Sequence, residues 1–123
     1  STSYLATIRN FLALQALHQP QMRAVVRQLQ DAVGKHGAPA VAGLAASLEI
    51  LRVSDIRARV PDIMAPTLVL QGDHDALTSP GAAQWLADHL PESTYCLIEH
   101  AAHAPFLSHR TAFLDHLLNF LGP

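Results

Sequence analysis

Two short apolar segments, separated by a helical pattern, limit most strongly what this chain can fold into. The first is Thr67-Leu68-Val69-Leu70, which Pro66 and Gly72 bound, and the second runs from Ser93 to Ile98. The first, a short and continuously apolar run, suits a strand that is buried on both faces of a parallel sheet, and the second is predicted as another strand. Because two strands are too few for an open α/β sheet, we expect absent sequence or another copy of the chain to complete it.

Helical patterns surround the two predicted strands. Three amphipathic stretches precede the first strand, Ser79-Pro80 signals a helix start between the strands, and a last apolar stripe runs from Phe113 to Leu121. The order of three helices, then strand, helix, strand and helix predicts an α/β fold with parallel strands and flanking helices.

Composition argues against several classes of function. The chain has 123 residues and a formal net charge of -2, so a basic stripe for nucleic acid is not expected. No apolar run approaches the ~18 residues of a membrane span, and no signal-peptide pattern is visible. The single cysteine, Cys96, argues against a disulfide framework and fits a reducing compartment, so we expect a cytoplasmic protein.

The loops that follow the two strands contain the residues best suited to chemistry. Residues 71–77 include Asp73 and Asp75, and residues 99–106 include His103. Functional residues gather beyond the C-terminal ends of parallel strands. An acid after one strand and a histidine after the next is the order found in α/β-hydrolases, whose nucleophilic serine comes earlier. The histidine would act as general base, and the acid would hold its tautomer.

A nucleophile is not evident in the sequence. No serine has the G-x-S-x-G frame of a nucleophile elbow, whether Ser1, Ser3, Ser47, Ser54, Ser79, Ser93 or Ser108. Cys96 lies within a predicted strand without flanking glycines, so it is a poor substitute. The chain also opens on Ser1 without an initiator Met. We therefore expect a fragment or a processed chain, with the nucleophile in a missing N-terminal half upstream of Ser1.

A resemblance to one enzyme family is carried by two segments, LEILRVSDIRARVPDIMAPTLVLQGDHDALTSP and EHAAHAPFLSHR. These resemble the pimeloyl-acyl-carrier-protein methyl ester esterases, and the helical opening FLALQAL resembles the start of that family's lid. The similarity covers nearly the whole chain, and AAHAPFLSH is its most specific part. The resemblance implies a helical lid over residues 1–54 and the C-terminal part of an α/β-hydrolase core over residues 55–123.

The resemblance also implies a function and a set of site residues. The family removes the methyl ester from pimeloyl groups on acyl-carrier protein, without a metal or an organic cofactor. By motif, the catalytic acid is Asp75 and the catalytic base is His103, while Asp73 would be a turn residue. The substrate-binding positions implied by the family are Phe11, Leu12, Gln15, Leu77 and His103.

Two arginines are candidates for docking the acidic carrier protein. Arg23 and Arg27 match two basic lid positions of the family, and their i, i+4 spacing puts them on one helix face. Two further basic positions of the family fall on Ala6 and Asn10, although Arg9 lies close by. By spacing alone, the arginine pair is typical of an ordinary solvated face.

Three alternatives remain beside this interpretation. The same fold could be a broad short-chain esterase, or the chain could be an inert fragment or one half of a two-chain assembly. Because the chain has eight histidines, His100 and His103 with Asp73 or Asp75 could also form a zinc-type site. Histidines scatter in α/β proteins, so we expect no metal.

Overall fold

The computed structural model describes residues 4–15, 23–35 and 41–122. Three helices come first, α1 (Tyr4–Gln15), α2 (Arg23–Lys35) and α3 (Val41–Val53). A 3₁₀ helix (Arg57–Asp62) leads into β1 (Thr67–Gly72), α4 (Pro80–His89), β2 (Ser93–Ile98), α5 (Pro105–Ser108) and α6 (Arg110–Leu121). This order confirms the α/β class that the sequence predicts.

The two strands pair in parallel, in a register that sets Thr67 opposite Ser93 and Gly72 opposite Ile98. Their C-terminal ends therefore coincide, and the loops that follow leave the sheet side by side. Among the described residues each strand has one neighbour, so both outer edges of the sheet are unpaired there.

The buried core lies between the 3₁₀ helix, β1 and α4. Val60, Val69, Ala87 and Leu90 are its buried members. Helix α4 begins at Pro80 because Ser79 caps it, with Ser79 Oγ accepting the Ala82 N–H at 3.2 Å. This helix joins the strands and packs against both of them.

Many apolar side chains are exposed, because no other described residue covers them. On α3, Leu48, Ile50, Leu51 and Val53 are exposed, and on α6 so are Leu118 and Leu121. A helix of a globular protein normally buries such a stripe, so the core formed by these residues alone is small. Helices α1 and α2 pack against each other. Within the described ranges, no helix combines the length and the hydropathy that crossing a bilayer requires.

Gly72, at the end of β1, allows the two loops to approach closely. A Cβ built on Gly72 would lie 2.7 Å from the carbonyl carbon of Ala101, and closer to the carbonyl oxygens of Ala101 and Ala102. These are backbone atoms and cannot rotate away. Only glycine lets β1 end directly against the residues that precede His103.

We predict that Gly72→Ala lowers the free energy of unfolding of the protein by about 1–3 kcal/mol, the usual cost of forcing backbone apart in a packed region. Urea denaturation of wild type and variant measures the difference. Gly81→Ala is the matched control, because the nearest atom to its Cβ would be Ser79 Oγ at 4.0 Å. Equal stability of the two variants would contradict the role given to Gly72.

Candidate active site

The loop after β1 turns back at once and presents the Asp75 carboxylate at the strand end. The Asp75 N–H donates to Gly72 O at 3.3 Å, which closes the turn. The loop after β2 is joined to it, since the His74 N–H donates to Ala101 O at 2.9 Å. Backbone hydrogen bonds thus hold the acid and the histidine loops against each other.

The carboxylate of Asp75 accepts five hydrogen bonds. Oδ1 accepts the backbone N–H groups of Leu77 at 2.8 Å and Thr78 at 3.0 Å. Oδ2 accepts Thr78 Oγ1 at 2.7 Å, Gln71 Nε2 at 3.1 Å and His103 Nδ1 at 2.9 Å. The side chain is 4% exposed, so these donors replace water almost entirely.

The pKa of Asp75 reflects two opposing effects. Burial raises the pKa of this carboxyl, but the hydrogen bonds from Thr78, His103 and Leu77 outweigh burial and hold it well below its usual range. Asp75 is therefore ionised at neutral pH. A depressed pKa stabilises the folded protein fully above the pKa of the unfolded chain, and that stability is lost progressively as pH falls from there through the folded value.

The hydrogen bond from His103 to Asp75 sets the tautomer of the imidazole. An ionised carboxylate can only accept, so Nδ1 must carry the proton that lies in the 2.9 Å bond. In the neutral ring Nε2 is then the basic nitrogen. The side chain of His103 is 36% exposed, which leaves the ring accessible. A group held in this way can accept a proton from a hydroxyl.

Small buried residues surround His103 along the chain. Ala101, Ala102 and Ala104 are 0%, 2% and 7% exposed. They let this loop lie against Gly72, and Pro105 then starts the short helix α5. The position of His103 therefore depends on close backbone packing on its N-terminal side.

Asp73, the other acid in the loop after β1, has different neighbours from Asp75. Asp73 Oδ2 lies 4.0 Å from His74 Nε2, and in the described part of the chain Asp73 Oδ1 is a buried oxygen without a hydrogen-bond partner. Asp73, His74 and His100 offer ligand atoms that all lie within 4.8 Å of one another. Histidine nitrogens and carboxylate oxygens are ligands that zinc accepts, so this group is the metal-site candidate among the described residues. The absence of a metal stays a prediction.

The other expected site residues are spread over three elements. Leu77 lies in the acid loop, half-exposed, with its N–H on Asp75. On α1, Phe11 is 46% exposed and Leu12 is half-buried, while the side chain of Gln15 lies outside the described parts. Arg23 and Arg27 are both exposed on α2. The structure thus brings Asp75, His103 and Leu77 together, whereas the roles of the α1 and α2 residues stay predictions.

Two residues in direct contact with the acid were not predicted from the sequence. Thr78 and Gln71 both donate to Asp75 Oδ2. A weak signal exists for Thr78, since an Asp three residues ahead of a Thr often accepts its N–H in a local turn. Gln71 has no such signal, because a glutamine in a strand is common and its partners are set by tertiary structure.

Comparison with known proteins finds one matching family and many relatives. The family model described as serine aminopeptidase, S33, matches residues 14–109. A pimeloyl-[acyl-carrier protein] methyl ester esterase of Nitrosomonas europaea is 36% identical over 112 residues, covering 91% of this chain and 44% of the relative. The pimeloyl-[acyl-carrier protein] methyl ester esterase of Aromatoleum aromaticum is 40% identical over 104 residues, which cover 85% of this chain and 42% of the relative. The chain spans about half the length of the curated relatives it matches.

Solved structures agree with these sequence relatives. A hydrolase from Pseudomonas aeruginosa matches with a TM-score of 0.74 and 28% identity, over 95% of this chain and 43% of its own. The resemblance to the methyl ester esterases, read from the sequence, is confirmed for nearly the whole chain. The family model matches well over half of this chain. The chain therefore belongs to the serine aminopeptidase, S33, family and has the fold of the C-terminal part of an α/β-hydrolase.

Proposed function

We propose that the complete protein is a serine carboxylic ester hydrolase in which His103 is the general base and Asp75 its acid partner. The observation that carries the proposal is the 2.9 Å hydrogen bond between His103 Nδ1 and the buried Asp75 Oδ2. It leaves Nε2 as the nitrogen that can take a proton, as triad chemistry requires. The relatives' esterase names support the same reaction class.

The proposed reaction needs a serine outside this chain. Nε2 of His103 takes the serine hydroxyl proton as Oγ attacks the ester carbonyl, and His103 then returns that proton to the departing alcohol. Water hydrolyses the acyl-enzyme by the same route. The Asp75 carboxylate stabilises the imidazolium in both steps, without itself taking the proton. The proposal includes no cofactor.

We further propose that the substrate is a pimeloyl methyl ester on acyl-carrier protein, as the names of the relatives suggest. Residues 1–54 would form a lid over the site, and residues 55–123 would contribute part of the core. Phe11, Leu12, Gln15 and Leu77 would line the pocket. The protein would act in the cytoplasm, a reducing compartment that its single cysteine fits.

Docking of the carrier is assigned to Arg23 and Arg27. Both are exposed on α2 one turn apart, as a surface for an acidic partner requires. The departures at Ala6 and Asn10 favour a second candidate, a broad short-chain esterase with the same catalytic pair. The two candidates differ in whether a carrier-bound ester is preferred over a free one.

For the catalytic pair, we expect Asp75→Ala and His103→Ala in the complete protein each to lower kcat by about 10³-fold or more, with little change in KM. Steady-state hydrolysis of a methyl ester measures this. Asp73→Ala is the matched control, because its carboxylate lies in the same loop but outside the Asp75–His103 pair. A larger loss in Asp73→Ala than in Asp75→Ala would reverse the assignment of the acid.

For the carrier, we expect replacing Arg23 and Arg27 by Ala to lower kcat/KM on a carrier-bound ester by about fivefold each, or ~1 kcal/mol. Hydrolysis of a small free ester should stay unchanged, and the difference should shrink at high salt because the charges are exposed. Arg110→Ala, an exposed arginine on α6, is the control for loss of charge. Equal losses on both substrates would indicate a structural role for the α2 arginines.

A further inference from the structure

Gln71 is a polar residue in the interior. As a whole residue it is 6% exposed. Its Nε2 donates to Gly72 O at 3.0 Å, Asp75 Oδ2 at 3.1 Å and Thr78 O at 3.1 Å. Buried polar groups persist where their hydrogen bonds are satisfied, and these three bonds account for the burial of Gln71.

The chemistry of the three partners determines which way the amide faces. Gly72 O, Thr78 O and the Asp75 carboxylate can only accept, since Asp75 is ionised. Turning the amide over would set its carbonyl oxygen against three acceptors and satisfy none of them. Nε2 therefore faces Asp75, with two N–H groups shared among three acceptors.

Gln71 connects a rigid element to a loop. It lies within β1, paired with Leu97 of β2, whereas Asp75 and Thr78 lie in the loop that follows. Its contact with Thr78 O holds the far end of that loop, and its contact with Oδ2 holds the acid itself. Side chains on strands hold a site more precisely than side chains on loops.

We propose that Gln71 is a positioning residue that acts through Asp75, holding the carboxylate so that Oδ2 faces His103 Nδ1. The inference rests on the proposed esterase function. Without Gln71, the strand has no side-chain bond to Oδ2, and the carboxylate is held only by donors of its own loop and by His103 itself. His103 would then lose the fixed partner that sets its tautomer and orientation.

The first test is Gln71→Met in the complete protein, which keeps the length of the side chain and removes both N–H groups. We expect kcat on a small free ester to fall about 10-fold to 100-fold, since a misplacement of ~1 Å costs about that much, with KM within about twofold. Gln84→Met is the matched control. Gln84 is exposed on α4 and donates to Asp88 Oδ1 at 2.8 Å, so the same substitution there should leave kcat unchanged.

A second variant covers the case in which Gln71→Met does not fold. Gln71→Asn keeps a buried amide but is shorter by one methylene, so its nitrogen cannot reach Oδ2 from the same backbone. Urea denaturation reports whether each variant folds. We expect Gln71→Asn to lower kcat as Gln71→Met does; a folded Gln71→Asn variant within twofold of wild-type kcat would overturn the proposal.

A double-mutant cycle separates positioning from a general structural role. If Gln71 acts through Asp75, Gln71→Met should cost nothing further in an Asp75→Ala background. An equal fold-loss in both backgrounds would overturn the proposal. Measuring His103→Ala in the same series keeps the two claims distinct. An unchanged kcat in His103→Ala would refute the proposed function. An unchanged kcat in the Gln71 variants, with a large loss in His103→Ala, would refute only the role of Gln71.

Discussion

The Asp75 carboxylate is an ionised group that is almost fully buried, and the rest of the site depends on how its charge is compensated. Burying an ionised carboxylate is expensive unless donors replace the lost water. Here the donors come from the acid loop itself, from the strand before it and from the next loop. The bonds from Thr78 and Gln71 keep the charge in place, so that the bond to His103 can orient the imidazole.

Close packing of backbone brings the loop after β2, and with it the donor His103 Nδ1, within reach of Asp75. The parallel register ends both strands at the same level, and Gly72 lets Ala101 and Ala102 lie directly against the end of β1. A side chain at position 72 would push the second loop outward, and His103 would move with it. The hydrogen bond that sets the tautomer therefore depends on a glycine that takes no part in the chemistry.

The parts that could be predicted from the sequence are those that local patterns determine. Apolar runs and the Ser79-Pro80 signal indicated the strands and helix α4 correctly. The resemblance named Asp75 as the acid, and the structure places that residue against His103, while its catalytic role stays a proposal. The 3₁₀ helix that supplies Val60 to the core was not predicted from the sequence. Gln71 was missed because nothing local distinguishes a strand glutamine that faces water from one that faces a carboxylate. Among the described residues, both outer edges of the sheet are unpaired and apolar side chains of α3 and α6 are exposed. The sequence indicated neither which residues would pair with those edges nor which would cover those side chains.

In the proposed enzyme, Asp75 and His103 activate a serine that lies outside these 123 residues. The most direct measurement is to treat the complete protein with a phosphonylating reagent for activated serines and to map the labelled residue by mass spectrometry. We expect the label on a serine outside residues 1–123, in a G-x-S-x-G frame, and much slower labelling of His103→Ala. A label on any serine within these residues, or an unchanged labelling rate in His103→Ala, would contradict this role of Asp75 and His103.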